Sequence, residues 1–120
     1  MYVADRENSR IQVFDRTGKY IKQWVHKSFG RISSVVFDRE SKTFVAVDYS
    51  TSWFNLIHNG SDIILFDSLG NFINKFGKAS LKKEGIKCWY HNVVIDKDGN
   101  IYVTDILGNR IQKFKKISTN

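Results

Sequence analysis

An internal repeat is the feature that most limits what this chain can fold into. Shifted by 100 residues, the segment 2–14 matches the segment 102–114 at seven of thirteen positions. Shifted by 52 residues, the segment 9–24 matches 61–76 at apolar, aspartate and glycine positions, so the unit occurs three times. Self-similarity on a period of roughly 40 to 50 residues is typical of repeat folds, whose units bury their apolar faces against one another.

Each unit consists of short runs rich in β-branched and aromatic residues, separated by turn residues. In the last unit these runs are 92–96, 100–105 and 110–114, which we interpret as strands. The turns 15–18 and 67–70 share the pattern Asp-x-x-Gly, in which the aspartate bonds the turn backbone and the glycine accepts a positive φ. The pattern predicts an all-β fold of four-stranded antiparallel sheets, each the blade of a β-propeller.

The repeat also predicts how much of a propeller is present. With the strands named A to D from the ring axis outward, residues 1–120 form one partial propeller of about two and a half blades. Residues 1–24 would form strands B to D of the first blade, 31–76 the second blade, and 90–117 strands A to C of the third. Because propellers close with about 4 to 8 blades, we expect exposed strand edges and apolar faces at both ends. The remaining blades of a longer protein, or self-association, would cover them.

Strand parity predicts which end of the blades carries function. The A–B and C–D connections lie at one end and are short, whereas the B–C and D–A connections lie at the other end and are long and varied. Long loops on a rigid scaffold commonly hold binding and catalytic residues. His26, His58 and His91 all fall at that end, and we expect the first two to be surface loop residues. The insertion 49–60 brings aromatic residues there, which either form a lid or partner surface or pack against the blade.

Charge and composition narrow the function classes. Nineteen basic and twelve acidic residues give a net charge of +7, which is compatible with an RNA partner. The lysines are spread along the chain, however, so a solvated basic surface is the simpler interpretation. A single cysteine, Cys88, excludes an internal disulfide, and we expect it to be packed rather than reactive. No apolar run approaches the roughly 20 residues of a spanning helix and no signal peptide is recognisable, so the sequence predicts no membrane segment and leaves the localisation open.

The repeated motif resembles a known repeat. Residues 2–14 and their copy at 102–114 are similar to the NHL repeat, and the similarity extends over most of the chain. The resemblance implies a β-propeller built from NHL blades.

Two of the three units carry an aspartate followed five residues later by an arginine, at Asp5 with Arg10 and at Asp105 with Arg110. Such a pair suits an ion pair that braces the corner between strands B and C. The second unit departs from the pattern, because Asp62 stands in the position of the arginine.

A narrower resemblance covers Val3–Gln12 and His26–Arg31, which are similar to segments of the peptidyl-α-hydroxyglycine α-amidating lyase (peptidylamidoglycolate lyase) family, an NHL-type six-bladed propeller. It implies a zinc enzyme that splits a C-terminal hydroxyglycine into a peptide amide and glyoxylate. Arg6 matches an active-site arginine of that family, whose guanidinium suits a carboxylate or a developing oxyanion. His91 matches one of its three zinc ligands. The family's other zinc ligands and active-site tyrosine belong to upstream blades, and residues 89–90 replace its Met-Pro.

Three functions stay open at this point. The chain is a segment of a zinc-dependent lyase acting on a peptide, inactive alone because a catalytic zinc needs about three protein ligands. Alternatively it is a non-catalytic NHL scaffold that binds protein, or an NHL domain that binds single-stranded RNA through a basic face and aromatic stacking. Zinc dependence would mark the first function, and a steep salt dependence of RNA affinity would mark the third.

Overall fold

The structure is a computed structural model of the 120-residue chain that describes residues 1–27, 29–52, 57–77 and 88–117, with the backbone alone for 51–52 and 57–59. In these ranges the chain forms ten strands and a 3₁₀ turn, Arg6–Asn8. The strands are β1 Tyr2–Asp5, β2 Arg10–Phe14, β3 Tyr20–Trp24, β4 Arg31–Asp38, β5 Thr43–Ser52, β6 Ile57–Phe66, β7 Phe72–Phe76, β8 Tyr90–Ile95, β9 Ile101–Asp105 and β10 Arg110–Phe114. Within the same ranges, no helix has the length and apolar character needed to cross a membrane.

The strands form three antiparallel sheets in the described part of the chain. Sheet 1 has the order β1-β2-β3, sheet 2 has the order β4-β5-β6-β7, and sheet 3 has the order β10-β9-β8. Each strand pairs with the strand next to it in the sequence, so each sheet is a meander. The prediction of an all-β fold built from antiparallel hairpins is confirmed.

The three sheets stack face to face, because sheet 2 is apolar on both faces. Successive side chains of a strand point to opposite faces, and β5 uses this alternation fully. Phe44 and Ala46 belong to a buried cluster shared with sheet 1, whereas Val45 and Val47 belong to a second cluster shared with sheet 3. Burying one such side chain stabilises the fold by roughly 1.5–3 kcal/mol, so these two clusters hold the sheets together.

The outer face of sheet 3 is apolar and exposed. Ile111 on β10 is 72% exposed, whereas Ile11 and Ile63, at the equivalent positions of sheets 1 and 2, are fully buried under the next sheet. Val94 on the same face is 54% exposed. The expected exposure of apolar side chains on an end sheet is therefore confirmed.

Three of the hairpin turns are held by an aspartate in the same way. The Oδ1 atoms of Asp15, Asp67 and Asp96 each accept the backbone N–H groups two and four residues later, at 2.8–2.9 Å. Each turn then places a glycine at a φ of 82–90°, where a residue without Cβ is not strained. These observations confirm the predicted Asp-x-x-Gly turns.

The turn at Asp96 makes stability depend on acidity. The side-chain hydrogen bond from Asn100 is the main cause that lowers the pKa of Asp96 from 3.8 to about 2. A carboxylate with a lowered pKa stabilises the folded state above its unfolded pKa, and the contribution is lost as the pH falls through the folded value. We therefore expect Asp96→Asn to be less stable than the parent at pH 7 and to lose less stability between pH 4 and pH 2. Urea midpoints at pH 7, 4, 3 and 2 measure this.

The control for that experiment is Asp98→Asn, two residues along the same turn. Asp98 contributes its backbone N–H to Asp96, and this group is unchanged by the substitution. We expect Asp98→Asn to lose stability between pH 4 and pH 2 as steeply as the parent does. Equal flattening in both variants would contradict the assignment to the Asp96 turn.

The insertion 49–60 extends the ladder between β5 and β6 over most of its length. Tyr49 pairs with Ser61 and Ser50 pairs with Gly60. Tyr49 is only 3% exposed, so of the two alternatives for the aromatic residues of the insertion, packing against the sheet holds for Tyr49 and the lid does not. The other two aromatic residues of the insertion, Trp53 and Phe54, lie outside the described residues.

Candidate functional site

The corner between the second and third strands of a unit is braced by an aspartate. In sheet 1, Arg10 Nε donates to Asp5 Oδ2 at 2.7 Å, and in sheet 3, Arg110 Nε donates to Asp105 Oδ2 at 3.0 Å. The predicted ion pairs are confirmed. They fix the loops that follow β1 and β9, and the loop after β1 contains Arg6.

The corner of sheet 2 uses a different cation. Asp62 replaces the arginine, and Lys75 Nζ on β7 lies 3.2 Å from Asp62 Oδ2. The corner aspartate of this sheet, Asp48, is 1% exposed and accepts the N–H groups of Gly30 at 2.7 Å and of Asp62 at 2.9 Å. Burial is the main cause that raises the pKa of Asp48. The hydrogen bond from Gly30 holds the loop before β4 against the corner aspartate of sheet 2.

Arg6 lies in the 3₁₀ turn between β1 and β2, with its side chain 44% exposed. Its Nε donates to Oε1 of Glu7 at 2.9 Å. The other carboxylate oxygen of Glu7 lies 3.6 Å from Nη1 of Arg31, the first residue of β4. Glu7 therefore sits between two guanidinium groups from neighbouring sheets.

Arg31 continues these contacts towards sheet 3. Its Nη1 donates to the hydroxyl of Tyr49 at 3.3 Å, and its guanidinium carbon lies 5.8 Å from the centre of that ring. The hydrogen bond with Tyr49 is the main cause that raises the pKa of Arg31. The Tyr49 ring lies 4.4 Å from the ring of Trp89, centre to centre. Arg6, Glu7, Arg31, Tyr49 and Trp89 thus form a contact chain across all three sheets.

His91 lies two residues after the end of this contact chain, in a bulge of β8. Tyr90 pairs with Asp105 and Asn92 with Thr104, which leaves His91 out of the ladder with an exposed side chain. Bulges re-aim side chains and are common beside functional sites.

Sheet 2 has the same bulge in β4, where it is occupied by Ser33. The hydroxyl of Ser33 donates to the carbonyl oxygen of Tyr90 at 2.9 Å. Strands β4 and β8 therefore lie side by side at these bulges. At the equivalent bulge position, β8 has the imidazole of His91 where β4 has the hydroxyl of Ser33.

A zinc site would need more ligands than the described residues bring together. Among them, no three histidine, cysteine, aspartate or glutamate side chains lie close enough together to hold a metal ion. His91 offers one exposed imidazole, and a catalytic zinc takes about three protein ligands. The donor chemistry of His91 fits zinc, and the other ligands would have to come from beyond these residues.

The remaining candidate residues are His26, His58 and Cys88. His26 stacks on Phe72, with ring centres 4.8 Å apart and planes 12° apart, so it packs on sheet 2. The backbone of His58 pairs with Thr51 in sheet 2, and its side chain lies outside the described residues. Cys88 is 2% exposed, and burial raises the pKa of its thiol. A buried thiol with a raised pKa is unreactive, which confirms the expectation that Cys88 is packed.

Glu7, Arg31 and Trp89 are the members of the contact chain to which sequence reasoning gave no role. Glu7 and Arg31 are 24 residues apart and belong to different sheets, so no local pattern relates them. The one available signal was the similarity of His26–Arg31 to the same family as Val3–Gln12, because two distant segments that match one family can contribute to one site.

The chain is similar to parts of two much longer proteins. It is 32% identical over 113 residues to peptidyl-glycine alpha-amidating monooxygenase B of Xenopus laevis, and 31% identical over the same length to peptidyl-glycine alpha-amidating monooxygenase A of that organism. The alignments cover 93% of this chain and 12% of each relative. No protein-family model matches the chain. The chain thus spans about an eighth of the length of the curated relatives it matches.

Proposed function

We propose that the chain is a segment of a six-bladed β-propeller with NHL-type repeats that works as a zinc-dependent peptidylamidoglycolate lyase. This enzyme would cleave a peptidyl-α-hydroxyglycine into a peptide amide and glyoxylate. Two named amidating proteins match over 93% of the chain, and the three stacked meanders fit consecutive blades. In this proposal the isolated segment is inactive, because the remaining blades carry the other zinc ligands.

The observation that carries the proposal is the contact chain that runs from Arg6 to Trp89, two residues before His91. It connects Arg6 to the segment directly before His91, and these are the two residues for which the resemblance implies chemistry, although they are 85 positions apart and belong to different sheets. The link lies at the end of the sheets that carries the long connections, where binding residues are usual.

Each residue has a role that its surroundings suit. The substrate ends in a carboxylate, and Arg6 would hold it through the Nη donors of a guanidinium whose Nε is engaged by Glu7. Arg31 would keep Glu7 in place from the other side. His91 would be one ligand of a zinc ion, which supplies Lewis acidity when bound. In the reaction the carbon–nitrogen bond breaks, the hydroxyl loses its proton to become the aldehyde, and the amide nitrogen gains a proton.

The test uses the full-length protein that contains this segment, with release of glyoxylate from a peptidyl-α-hydroxyglycine and bound zinc as the two readouts. We expect His91→Ala to lose zinc and activity together. Arg6→Ala should keep zinc and lose activity at least about a hundredfold, the loss typical of removing one charge-stabilising donor. The controls are His26→Ala, at the same end of the sheets, and Arg16→Ala, in an exposed turn; both should keep zinc and activity.

Several results would contradict the proposal. Full zinc content in His91→Ala would remove the ligand role, and a parent protein without zinc or lyase activity would favour the non-catalytic scaffold for protein or RNA. For the isolated 120-residue chain we expect no zinc and no ring-sized particle in light scattering. A closed oligomer whose zinc is lost with His91→Ala would instead mean that copies of this chain assemble the site.

A further inference from the structure

Three hydroxyl groups surround the bulge that presents His91. Two belong to Ser33 and Ser34, consecutive residues of β4 in the neighbouring sheet, and the third belongs to Thr104 on β9 of the same sheet. Each forms a hydrogen bond with the residue directly before or directly after His91. The bulge is therefore held from both sides by side chains to which the proposed function gives no role.

The bond on the N-terminal side of the bulge comes from Ser33. Its Oγ lies 2.9 Å from the carbonyl oxygen of Tyr90 and 3.4 Å from the carbonyl oxygen of Val47 in its own sheet. Hydroxyl bonds are about 2.5–3.0 Å long and a hydroxyl has one proton to donate, so the shorter distance assigns the bond to Tyr90. The carbonyl directly before His91 is thus fixed against β4.

The C-terminal side of the bulge is held through Asn92. Ser34 Oγ donates to Asn92 Oδ1 at 2.7 Å, and the same oxygen accepts the N–H of Val93 at 2.9 Å. The backbone N–H of Asn92 donates to the hydroxyl of Thr104 at 3.1 Å. Asn92 and Thr104 are the first residue pair after the bulge. Both the backbone and the side chain of Asn92 are therefore held in place.

The hydroxyl of Thr104 is particular to the sheet that carries the histidine. Thr104 directly precedes the corner aspartate of sheet 3, and the same position is occupied by Ala4 in β1 and by Val47 in β5. Neither of these side chains can accept a hydrogen bond. The repeat alone therefore does not explain why a hydroxyl stands beside this bulge.

These bonds bear on His91 because a bulge interrupts the ladder. The extra residue of a bulge is left unpaired, and His91 has an exposed side chain. Holding the carbonyl before it and the amide after it fixes the direction of its Cα–Cβ bond, and the backbone angles limit its rotamers. A side chain that is already oriented loses less conformational freedom when it binds a ligand.

We propose that Ser33, Ser34 and Thr104 are positioning residues of the zinc site. They hold the bulge in one conformation, so that the imidazole of His91 is oriented before the metal binds. Each acts through the residues beside His91 and not as a ligand. The inference rests on the proposed function and deepens it, because it assigns the support of the ligand to three hydroxyls of this chain.

The test measures the zinc affinity of the full-length protein by titrating its metal-free form in competition with a chelator. We expect the double variant Ser33→Ala/Ser34→Ala and the single variant Thr104→Val each to bind zinc at least about tenfold more weakly, the loss typical of residues that support a metal ligand. Thr104→Ser keeps the hydroxyl and should keep the parent affinity, whereas valine keeps only the shape of threonine.

Ser41→Ala is the matched control. Ser41 Oγ donates to Asp38 Oδ2 at 2.6 Å in the turn after β4, at the other end of the sheets. The variant also loses a hydroxyl bond, and it should keep the parent zinc affinity. Its Tm shows how much stability such a loss costs, so a fall in zinc affinity is separated from a general loss of stability.

A second readout needs no zinc. In the metal-free 120-residue chain, hydrogen exchange of the Asn92 amide should be at least about fivefold faster in Thr104→Val than in the parent, the factor expected for one lost hydrogen bond. In Thr104→Ser the exchange rate should be that of the parent. Equal rates in the parent and Thr104→Val, or equal behaviour of the serine and valine variants, would overturn the proposal.

The outcomes distinguish this inference from the proposed function. Loss of zinc in His91→Ala together with parent affinity in the hydroxyl variants would overturn the positioning role and leave the ligand role of His91 intact. A parent without zinc, or full zinc content in His91→Ala, would overturn the proposed function. The exchange rate of the Asn92 amide would then still decide whether Thr104 holds the bulge.

Discussion

Substitution of Asp105 by asparagine is expected to lower the free energy of unfolding by about 3 kcal/mol, the lower end of the range for breaking a buried ion pair. The side chain of Asp105 is fully buried and serves three donors. Its Oδ1 accepts the N–H groups of Trp89 and Gly108 at 2.9 and 3.0 Å, and its Oδ2 accepts Arg110 Nε at 3.0 Å. An asparagine has one acceptor oxygen, so in either orientation its amide group faces a donor.

The repeat supplies a matched control at the equivalent corner, Asp5→Asn. Asp5 bonds Arg10 in the same geometry, but its side chain is 22% exposed and its other partner is the amide of Asn8. Water can replace the lost bonds there, so we expect a clearly smaller loss. Urea unfolding of the parent and both variants measures the difference. Equal losses at the two corners would show that burial of Asp105 does not set its contribution.

These two corners show which features could be predicted from the sequence and which could not. The spacing of aspartate and arginine is the same in both units, so the ion pair could be predicted from the sequence. The difference in burial could not, because it comes from tertiary neighbours: Trp89 donates to Asp105 from the segment before β8, whereas sheet 1 has no strand inside β1 in the described residues. Equivalent residues of a repeat thus stabilise the fold to different extents, depending on where their sheet lies among the stacked sheets.

The strands could be predicted because they depend on local sequence. The candidate site could not, because it depends on contacts between sheets. Strands and turns depend on residues close in sequence, such as Asp67 and the N–H groups two and four positions later. The contact of Glu7 with Arg31, and that of Tyr49 with Trp89, join residues brought together only when the sheets stack. Likewise, the cation at the corner of sheet 2 comes from β7, since Lys75 reaches Asp62 across the ladder.

The insertion 49–60 was predicted as a loop and forms mostly strand for a related reason. It contains the turn residues Asn59 and Gly60, which favour a connection. In the folded chain, however, Tyr49 and Ser50 already lie next to β6, and continuing the ladder satisfies their backbone groups. A bulge between Ser50 and Thr51 absorbs the irregularity. Tertiary pairing therefore overrides the local turn signal.

Gly70→Ala is the second substitution with a large expected effect, a loss of about 3 kcal/mol. Gly70 has a φ of +90°, where a side chain costs roughly 1–2 kcal/mol. A Cβ at this position would also overlap the ring of Trp24, a buried residue that packs against Tyr2, Phe44 and Phe66. Because Trp24 is held on several sides, it cannot move away, and overpacking adds about 1–3 kcal/mol.

Gly18→Ala separates the two causes, because the repeat places Gly18 at the same position of the preceding unit. Its φ is +87°, and a Cβ there would meet nothing within 4 Å, so we expect only the backbone cost of roughly 1–2 kcal/mol. A third variant tests the contact itself. In a Trp24→Phe background the smaller ring should make Gly70→Ala cost less than it does in the parent, a coupling that urea unfolding of the double-mutant cycle measures. If Gly70→Ala and Gly18→Ala cost the same, or if the cycle shows no coupling, the overlap with Trp24 does not control the stability of this turn.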